Sequence, residues 1–366
     1  MNQRIKKIII ATGGTGGHIF PATSLANHLK DNNIKVEIIS DRRGLRYLKN
    51  FQDLKITVIN SSTFFKKNLF FKFLSLLSIS YSIFRSIIFL ILNRPNLIFG
   101  MGGYASFPVC VASILLRIPL ILYENNLYIG KTNKYLIPFA KKVLVSFKEL
   151  EGVTRKHQKK IHEVGNIIRK EIINFKDKKN VTKDYKKLKI LILGGSQAAK
   201  IFAEKLPYIF KKCKDSNISF EIYQQCLPEQ NKFLNSYYQS SNIKFEIFNF
   251  APDILNYFSK TNLVITRSGS SMLAELINAE IPFISVPLPT SADNHQLKNA
   301  IHYSKNEYSY LIEEKDLDMN LFKLIKKVSE NKSLLDKIIN KQRQYSDKSV
   351  YKNIEKHINQ LNNEKY

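Results

Sequence analysis

A β-branched run leading into a glycine turn occurs twice in this chain, at residues 7–17 and again at 189–197. Apolar strand-like runs alternate with helix-like stretches after each opening, and 366 residues are too many for one comfortable core. These observations predict an α/β protein of two doubly wound, Rossmann-like domains facing a cleft. Hydrophobic residues make up 44% of the chain, which excludes a mainly disordered protein.

The first domain is expected over residues 1–163. Its opening strand is 7–11, its glycine turn is Gly13-Gly14-Thr15-Gly16-Gly17, and a helix is read over 21–30. Further strands are expected at 36–40, 57–60, 97–99, 120–123 and 142–145. Residues 164–188 are expected to link the domains, because 176–189 is charged and almost without apolar side chains. A second domain over 189–335 has strands at 189–193, 220–224, 244–248, 263–266 and 283–286, with a helix over 198–212. The polar helical segment 336–366 is a candidate for packing back on the first domain.

Residues 69–92 are long enough to span a bilayer. Lys72 and Arg85 interrupt them, however, and Ser75, Ser78, Ser80, Ser82 and Ser86 dilute them. A charge at the centre of a spanning helix costs roughly 2.5–3.5 kcal/mol. Leu74, Leu77, Tyr81, Phe84 and Ile88 recur at helical spacing as one apolar stripe. An interfacial helix is the first expectation, ahead of an ordinary buried helix and of a spanning one.

Charge supports a surface role. The net charge is +27, and residues 1–163 carry 25 Lys and Arg against 8 Asp and Glu. Part of the surplus reflects a composition rich in Lys, Asn, Ile, Phe and Tyr. Basic charge beside apolar surface suits an anionic membrane leaflet. No nucleic-acid motif is present, so nucleic acid is not expected as a partner. Cys110, Cys213 and Cys226 are scattered and odd in number, which argues for a reducing compartment and against a disulfide framework; no Cys/His spacing reads as a metal site. Nothing near the N-terminus has the apolar length of a secretory signal, so a cytoplasmic protein is expected.

The chemistry gathers at strand-to-helix turns. Gly13–His18, Gly100–Pro108 and Gly194–Gln197 are glycine turns after strands, where backbone N–H groups and a helix start can receive a diphosphate. At 267–275, Ser270 and Ser271 stand at a helix start and Glu275 one turn further in, placed to accept from ribose hydroxyls. The run 293–296, Asp-Asn-His-Gln, offers clustered donors and acceptors for a sugar. A dinucleotide dehydrogenase is the competing reading, with Asp41 holding a ribose. Ile19 at the place of the third glycine counts against it.

Taken jointly, GGTGGHIFPA (13–22), GMGGYASFP (100–108), ENN (124–126), VGNIIR (164–169), GGSQ (194–197), RSGSSMLAE (267–275) and DNHQ (293–296) resemble the MurG family in order and spacing over nearly the whole chain. Those enzymes add N-acetylglucosamine to lipid I to make lipid II in peptidoglycan synthesis. The resemblance implies a GT-B glycosyltransferase fold, UDP-GlcNAc as donor, lipid I as acceptor, inversion, and no cofactor or obligatory metal. It implies a peripheral enzyme on the cytoplasmic side of the inner membrane, with cell-wall synthesis proteins as candidate partners. By motif match, Thr15, Gly16, Gly17, Asn126, Arg169, Ser196, Ala251, Ser270, Ser271, Met272, Leu273, Ala274, Glu275 and Gln296 fall at donor contacts. Gly14, Gly102, Gly103, Tyr104 and Ser106 are expected to take the acceptor diphosphate. His18 is the candidate base, its other reading being an anchor of the turn or a diphosphate ligand.

Departures from the family pattern are Met272 for Thr, Ala198 for Gly, Tyr123 and Asn125 for the His and Gln of HEQN, and Ile167 for Pro. Two alternatives remain: another lipid-directed GT-B enzyme, such as a diacylglycerol glycosyltransferase, or a catalytically silent adaptor that binds nucleotide-sugar.

Overall fold

Ile8, Ile9 and Ile10 are wholly buried, which a strand achieves only when both faces of its sheet are covered. In the computed structural model of the chain they form β1 (Lys7–Ala11), at the heart of a seven-stranded sheet. All residues are described except 1–4, 15, 50, 60, 62–68, 176–186, 196–198, 252 and 364–366. Two compact units emerge: Met1–Arg169 with Asp347–Tyr366, and Lys170–Ser346.

In the first unit β1 pairs in parallel with β2 (Lys35–Ser40), which pairs with β3 (Lys55–Val58). On its other side lies β4 (Leu97–Gly100), followed by β5 (Leu120–Glu124), β6 (Lys142–Val145) and β7 (Ile161–Glu163). The connecting helices are α1 (Gly16–Asp31), α2 (Arg42–Leu48), α3 (Leu69–Asn93), α4 (Phe107–Leu115) and α5 (Lys131–Leu136).

The second unit opens with α6 (Lys170–Phe175) and holds a six-stranded parallel sheet. Its strands are β8 (Leu188–Leu193), β9 (Phe220–Gln225), β10 (Phe245–Phe248), β11 (Leu263–Thr266), β12 (Phe283–Ser285) and β13 (Tyr310–Leu311), in the order β10-β9-β8-β11-β12-β13. Helices α7 (Lys200–Asp215), α8 (Asn231–Ser240), α9 (Ile254–Lys260), α10 (Ser270–Asn278), α11 (His295–Lys305), α12 (Leu317–Glu330) and α13 (Ser333–Gln342) complete it.

The last helix, α14 (Val350–Asn363), belongs to the first unit. Asp347 accepts the Asn166 amide at 2.8 Å, Tyr351 donates to the Ile168 carbonyl at 2.6 Å, and His28 pairs with Glu355 at 2.8 Å. The chain therefore divides after 169 and 346, not at the edges of a linker over 164–188 or at 336. Residues 176–186 of that expected linker lie outside the described residues. Two short strands, β7 and β13, are additions to the expected set; three and two residues carry too little pattern to be read.

Each sheet has one switch point, where the chain turns from winding one way to winding the other. In the first unit it lies between β1 and β4; in the second, between β8 and β11. Parallel sheets receive ligands at the carboxyl ends of such strand pairs. Gly13–Gly17 follows β1, Gly102 and Gly103 follow β4, Gly194 and Gly195 follow β8, and Gly269 follows β11. The four turns thus stand as two pairs, one pair per unit.

Helix α3 is packed the opposite way from a core helix. Its stripe of Leu74, Leu77, Tyr81, Phe84 and Ile88 is exposed, with Tyr81 at 63% and Phe84 at 59%. Ser75, Ile79, Ser82, Ser86 and Leu90 are buried, on the side that meets α4. The small serines permit close helix approach, and Ser82 and Ser86 satisfy their hydroxyls on the carbonyls of Ser78 and Ser82 at 2.8 and 2.7 Å. By length and composition Lys72–Asn93 is apolar enough to cross a membrane. The buried-helix reading of 69–92 fails, because a core helix would hide the stripe that this one displays.

Candidate functional site

The loops after β1 and β4 interlock because glycines let their backbones touch. Gly14, Gly102 and Gly103 have φ of +85°, +81° and +74°, in the left-handed region that glycine enters without strain. A Cβ on Gly13 would stand 2.4 Å from Ala105 Cβ. The His18 ring lies against the second turn: side chains on Gly102 and Gly103 would meet its Cε1 and Cδ2 at 3.4 and 3.3 Å. His18 sits in the first turns of α1, which starts at Gly16, five residues earlier than expected. Ser106 turns its hydroxyl inward to the Gly103 carbonyl at 2.9 Å.

Asp41 has a different task from the ribose contact of the dehydrogenase reading. Its Oδ1 accepts the Gly14 and Gly44 amides at 3.0 and 2.9 Å, and Arg43 Nε donates to Oδ2 at 3.0 Å. Burial opposes ionisation of this carboxyl, yet the two amides and Arg43 outweigh it and hold its pKa below the ordinary value. The Gly14 amide, expected to face the acceptor, thus points to Asp41. The Arg43 guanidinium stands 4.3 Å over the Tyr104 ring, a cation–π contact that joins α2 to the second glycine turn.

Glu124, at the end of β5 and 2% exposed, organises the ENN run. It accepts from the Asn126 amide and side chain at 3.1 and 2.9 Å, from the Gly130 amide at 2.9 Å, and from Asn133 Nδ2 at 3.0 Å. Asn126 is therefore held in one orientation by the buried Glu124 carboxylate. Asn125 solves another problem. Pro21, inside α1, has no N–H for the Gly17 carbonyl four residues back, and Asn125 Nδ2 takes that carbonyl at 3.1 Å.

Two of the family departures answer each other. Ile167, standing where proline is usual, has an N–H, and it donates at 2.9 Å to the hydroxyl of Tyr123, which stands where histidine is usual. That hydroxyl also pairs with Ser146 Oγ at 2.9 Å and reaches the Gly165 carbonyl at 3.2 Å. Burial pushes its pKa well up, so it remains a neutral hydrogen-bonding group.

In the second unit Gly269 caps α10, and Ser270, Ser271 and Met272 form its first turn, whose N–H groups have no acceptor within the helix. Leu273, Ala274 and Glu275 follow, all buried, with Glu275 at 6% exposure. Arg267 binds the loop from behind. Its Nη2 meets Glu314 at 2.5 Å, its Nη1 reaches the Val286 and Pro287 carbonyls at 3.3 and 3.2 Å, and its guanidinium covers Phe202. Gln296, at the start of α11, accepts the Leu288 amide on Oε1 at 3.0 Å. Ala251, half buried, follows β10. Asp293 and Asn294 are exposed with φ of +51° and +53°.

The structure thus brings His18, Gly14, Gly102, Gly103, Tyr104 and Ser106 together, with Gly16 and Gly17 at the start of α1 and Asn126 on the loop after β5. Arg169 closes the first unit, half buried. Thr15 and Ser196 lie outside the described residues. Asp41, Arg43 and Asn133 are contributors that the motif reading missed, while Glu124 fell within the ENN run without a role assigned to it. The signal for the first two was present, since a loop after the second strand must lie beside the loop after the first once those strands pair.

Two family models match the chain: the glycosyltransferase family 28 N-terminal domain over residues 8–145 and the family 28 C-terminal domain over 189–358. A Pelagibacter ubique protein named UDP-N-acetylglucosamine–N-acetylmuramyl-(pentapeptide) pyrophosphoryl-undecaprenol N-acetylglucosamine transferase is 36% identical over 92% of this chain and 89% of its own length. A protein of the same name from Rickettsia bellii is 34% identical over 89% and 90%. Among solved structures, Acinetobacter baumannii MurG superposes with a TM-score of 0.75 at 24% identity, covering 97% of this chain and 99% of that one.

Proposed function

The chain belongs to glycosyltransferase family 28 and within it to the MurG family, and from that premise we propose how its residues serve the activity. The protein transfers N-acetylglucosamine from UDP-GlcNAc to lipid I, giving lipid II in peptidoglycan synthesis. The acceptor position is the 4-hydroxyl of the muramyl sugar, and the donor's anomeric centre inverts. One observation carries this reading: a pair of backbone-lined turns at the switch point of each sheet, one pair per unit, as two phosphate-bearing substrates require.

On the donor side, the first turn of α10 and the turn after β8 face the diphosphate, and Arg169 adds a cation. Amides and a cation fixed in place stabilise the departing UDP without reorganising during the reaction. Glu275 accepts from the ribose hydroxyls. Ala251, Leu273, Ala274 and Gln296 complete the nucleotide-sugar contacts, with Thr15, Gly16, Gly17, Asn126 and Ser196. On the acceptor side, Gly102, Gly103, Tyr104 and Ser106 line the lipid diphosphate. His18 takes the proton from the attacking hydroxyl, since an imidazole nitrogen can accept a proton and this ring borders the second turn. The exposed stripe of α3, with Lys72 and Arg85 on the same helix, rests on the anionic cytoplasmic face of the inner membrane, where lipid I is reached.

Incubation of the full chain with labelled UDP-GlcNAc and a short-chain lipid I analogue tests the activity. The expected result is a disaccharide-bearing lipid product with a β linkage. Transfer to diacylglycerol instead, or no transfer to either acceptor, would overturn it.

A further inference from the structure

Arg43 lies outside every motif that carries the family likeness, yet it is the cation that joins the two turns of the first unit. Its Nε is held by Asp41 at 3.0 Å, and Asp41 is itself buried and fixed by the Gly14 and Gly44 amides. Its Nη2 stands 3.6 Å from where a Cβ on Gly14 would be, so the guanidinium lies beside the first turn. Its Cζ stands 4.3 Å over Tyr104, in the second turn. The side chain is 51% exposed. A guanidinium has five N–H donors, and the ion pair uses Nε; among the described residues neither Nη1 nor Nη2 meets a hydrogen-bond acceptor.

We propose that Arg43 binds the pyrophosphate of the lipid-linked acceptor, an assignment that rests on the transferase reading of this site. The Gly14 amide is turned toward Asp41, so that turn presents a side-chain cation in place of one backbone donor. Asp41 and Tyr104 hold the fork in one orientation, with its Nη1/Nη2 edge available for two phosphate oxygens. A neutral diacylglycerol offers nothing to this group, so Arg43 selects pyrophosphate-bearing lipids.

The test compares wild type with Arg43→Met, which keeps an aliphatic chain over Tyr104, and with Arg42→Met as an exposed neighbouring control. A short-chain prenyl pyrophosphate without sugar serves as competitive probe against the lipid I analogue. In Arg43→Met the probe's inhibition constant and the acceptor KM should rise about tenfold, the scale of one lost charge-assisted contact. The UDP-GlcNAc KM should stay within about twofold, a shift too small to represent a lost contact. Added salt should weaken probe binding to wild type more than to Arg43→Met, because screening acts only on the charged pair. Equal inhibition of the two proteins, or an equal rise in both substrates' KM, would overturn the assignment. A wild type that makes no product would instead defeat the transferase reading itself.

Discussion

Tyr123 and Ile167 show how a local pattern can change while the network around it stays satisfied. The Ile167 amide is buried and needs an acceptor, and the Tyr123 hydroxyl supplies it at 2.9 Å. Removing the hydroxyl with Tyr123→Phe leaves that donor unmatched and should cost about 1–3 kcal/mol of stability. Ile167→Pro removes the donor, so the same Tyr123→Phe change should cost less in that background. Urea unfolding of the four proteins measures the coupling; additivity within about 0.3 kcal/mol would contradict it. The pairing was invisible in the sequence because 44 residues of separation carry no local signal, and each departure read alone looked like a loss. Asp41 makes the same point. Its type and place after a strand were legible, but only the pairing of β1 with β2 shows that it faces Gly14 rather than a ribose.

Elements were more legible than contacts. The strands at 7–11, 142–145 and 263–266 appear with the expected bounds, because continuous β-branched runs buried on both faces have few other fates. The start of α1 was misplaced because Pro21 resembles a first helical residue, whereas here Asn125 takes the carbonyl that it strands. For α3 the apolar stripe was legible and its direction was not. Serines read as dilution are the packing face, and the large apolar side chains look outward. If that face rests on lipid, Leu77→Ser with Phe84→Ser should weaken binding to anionic vesicles by roughly 100-fold or more, since each buried apolar side chain contributes about 1.5–3 kcal/mol. Circular dichroism should be unchanged, because neither residue supports the core. Undiminished vesicle binding by the double variant would leave the stripe without a membrane role.

At the scale of the whole molecule, the repeated strand–glycine–helix grammar was enough to give two parallel-sheet units. The return of α14 to the first unit depends on long-range pairs, Asp347 with Asn166 and Tyr351 with Ile168, that no periodicity encodes. The proposed reading assigns donor recognition to α10 in the second unit and proton transfer to α1 in the first. Calorimetric titration with UDP-GlcNAc, paired with turnover of the same samples, separates the two. Glu275→Ala should weaken donor binding about tenfold, as loss of a charged hydrogen-bond acceptor does. His18→Ala should bind donor like wild type while its turnover falls roughly 100-fold or more. A Glu275→Ala protein that binds UDP-GlcNAc normally, or a His18→Ala protein that turns over normally, would contradict the account.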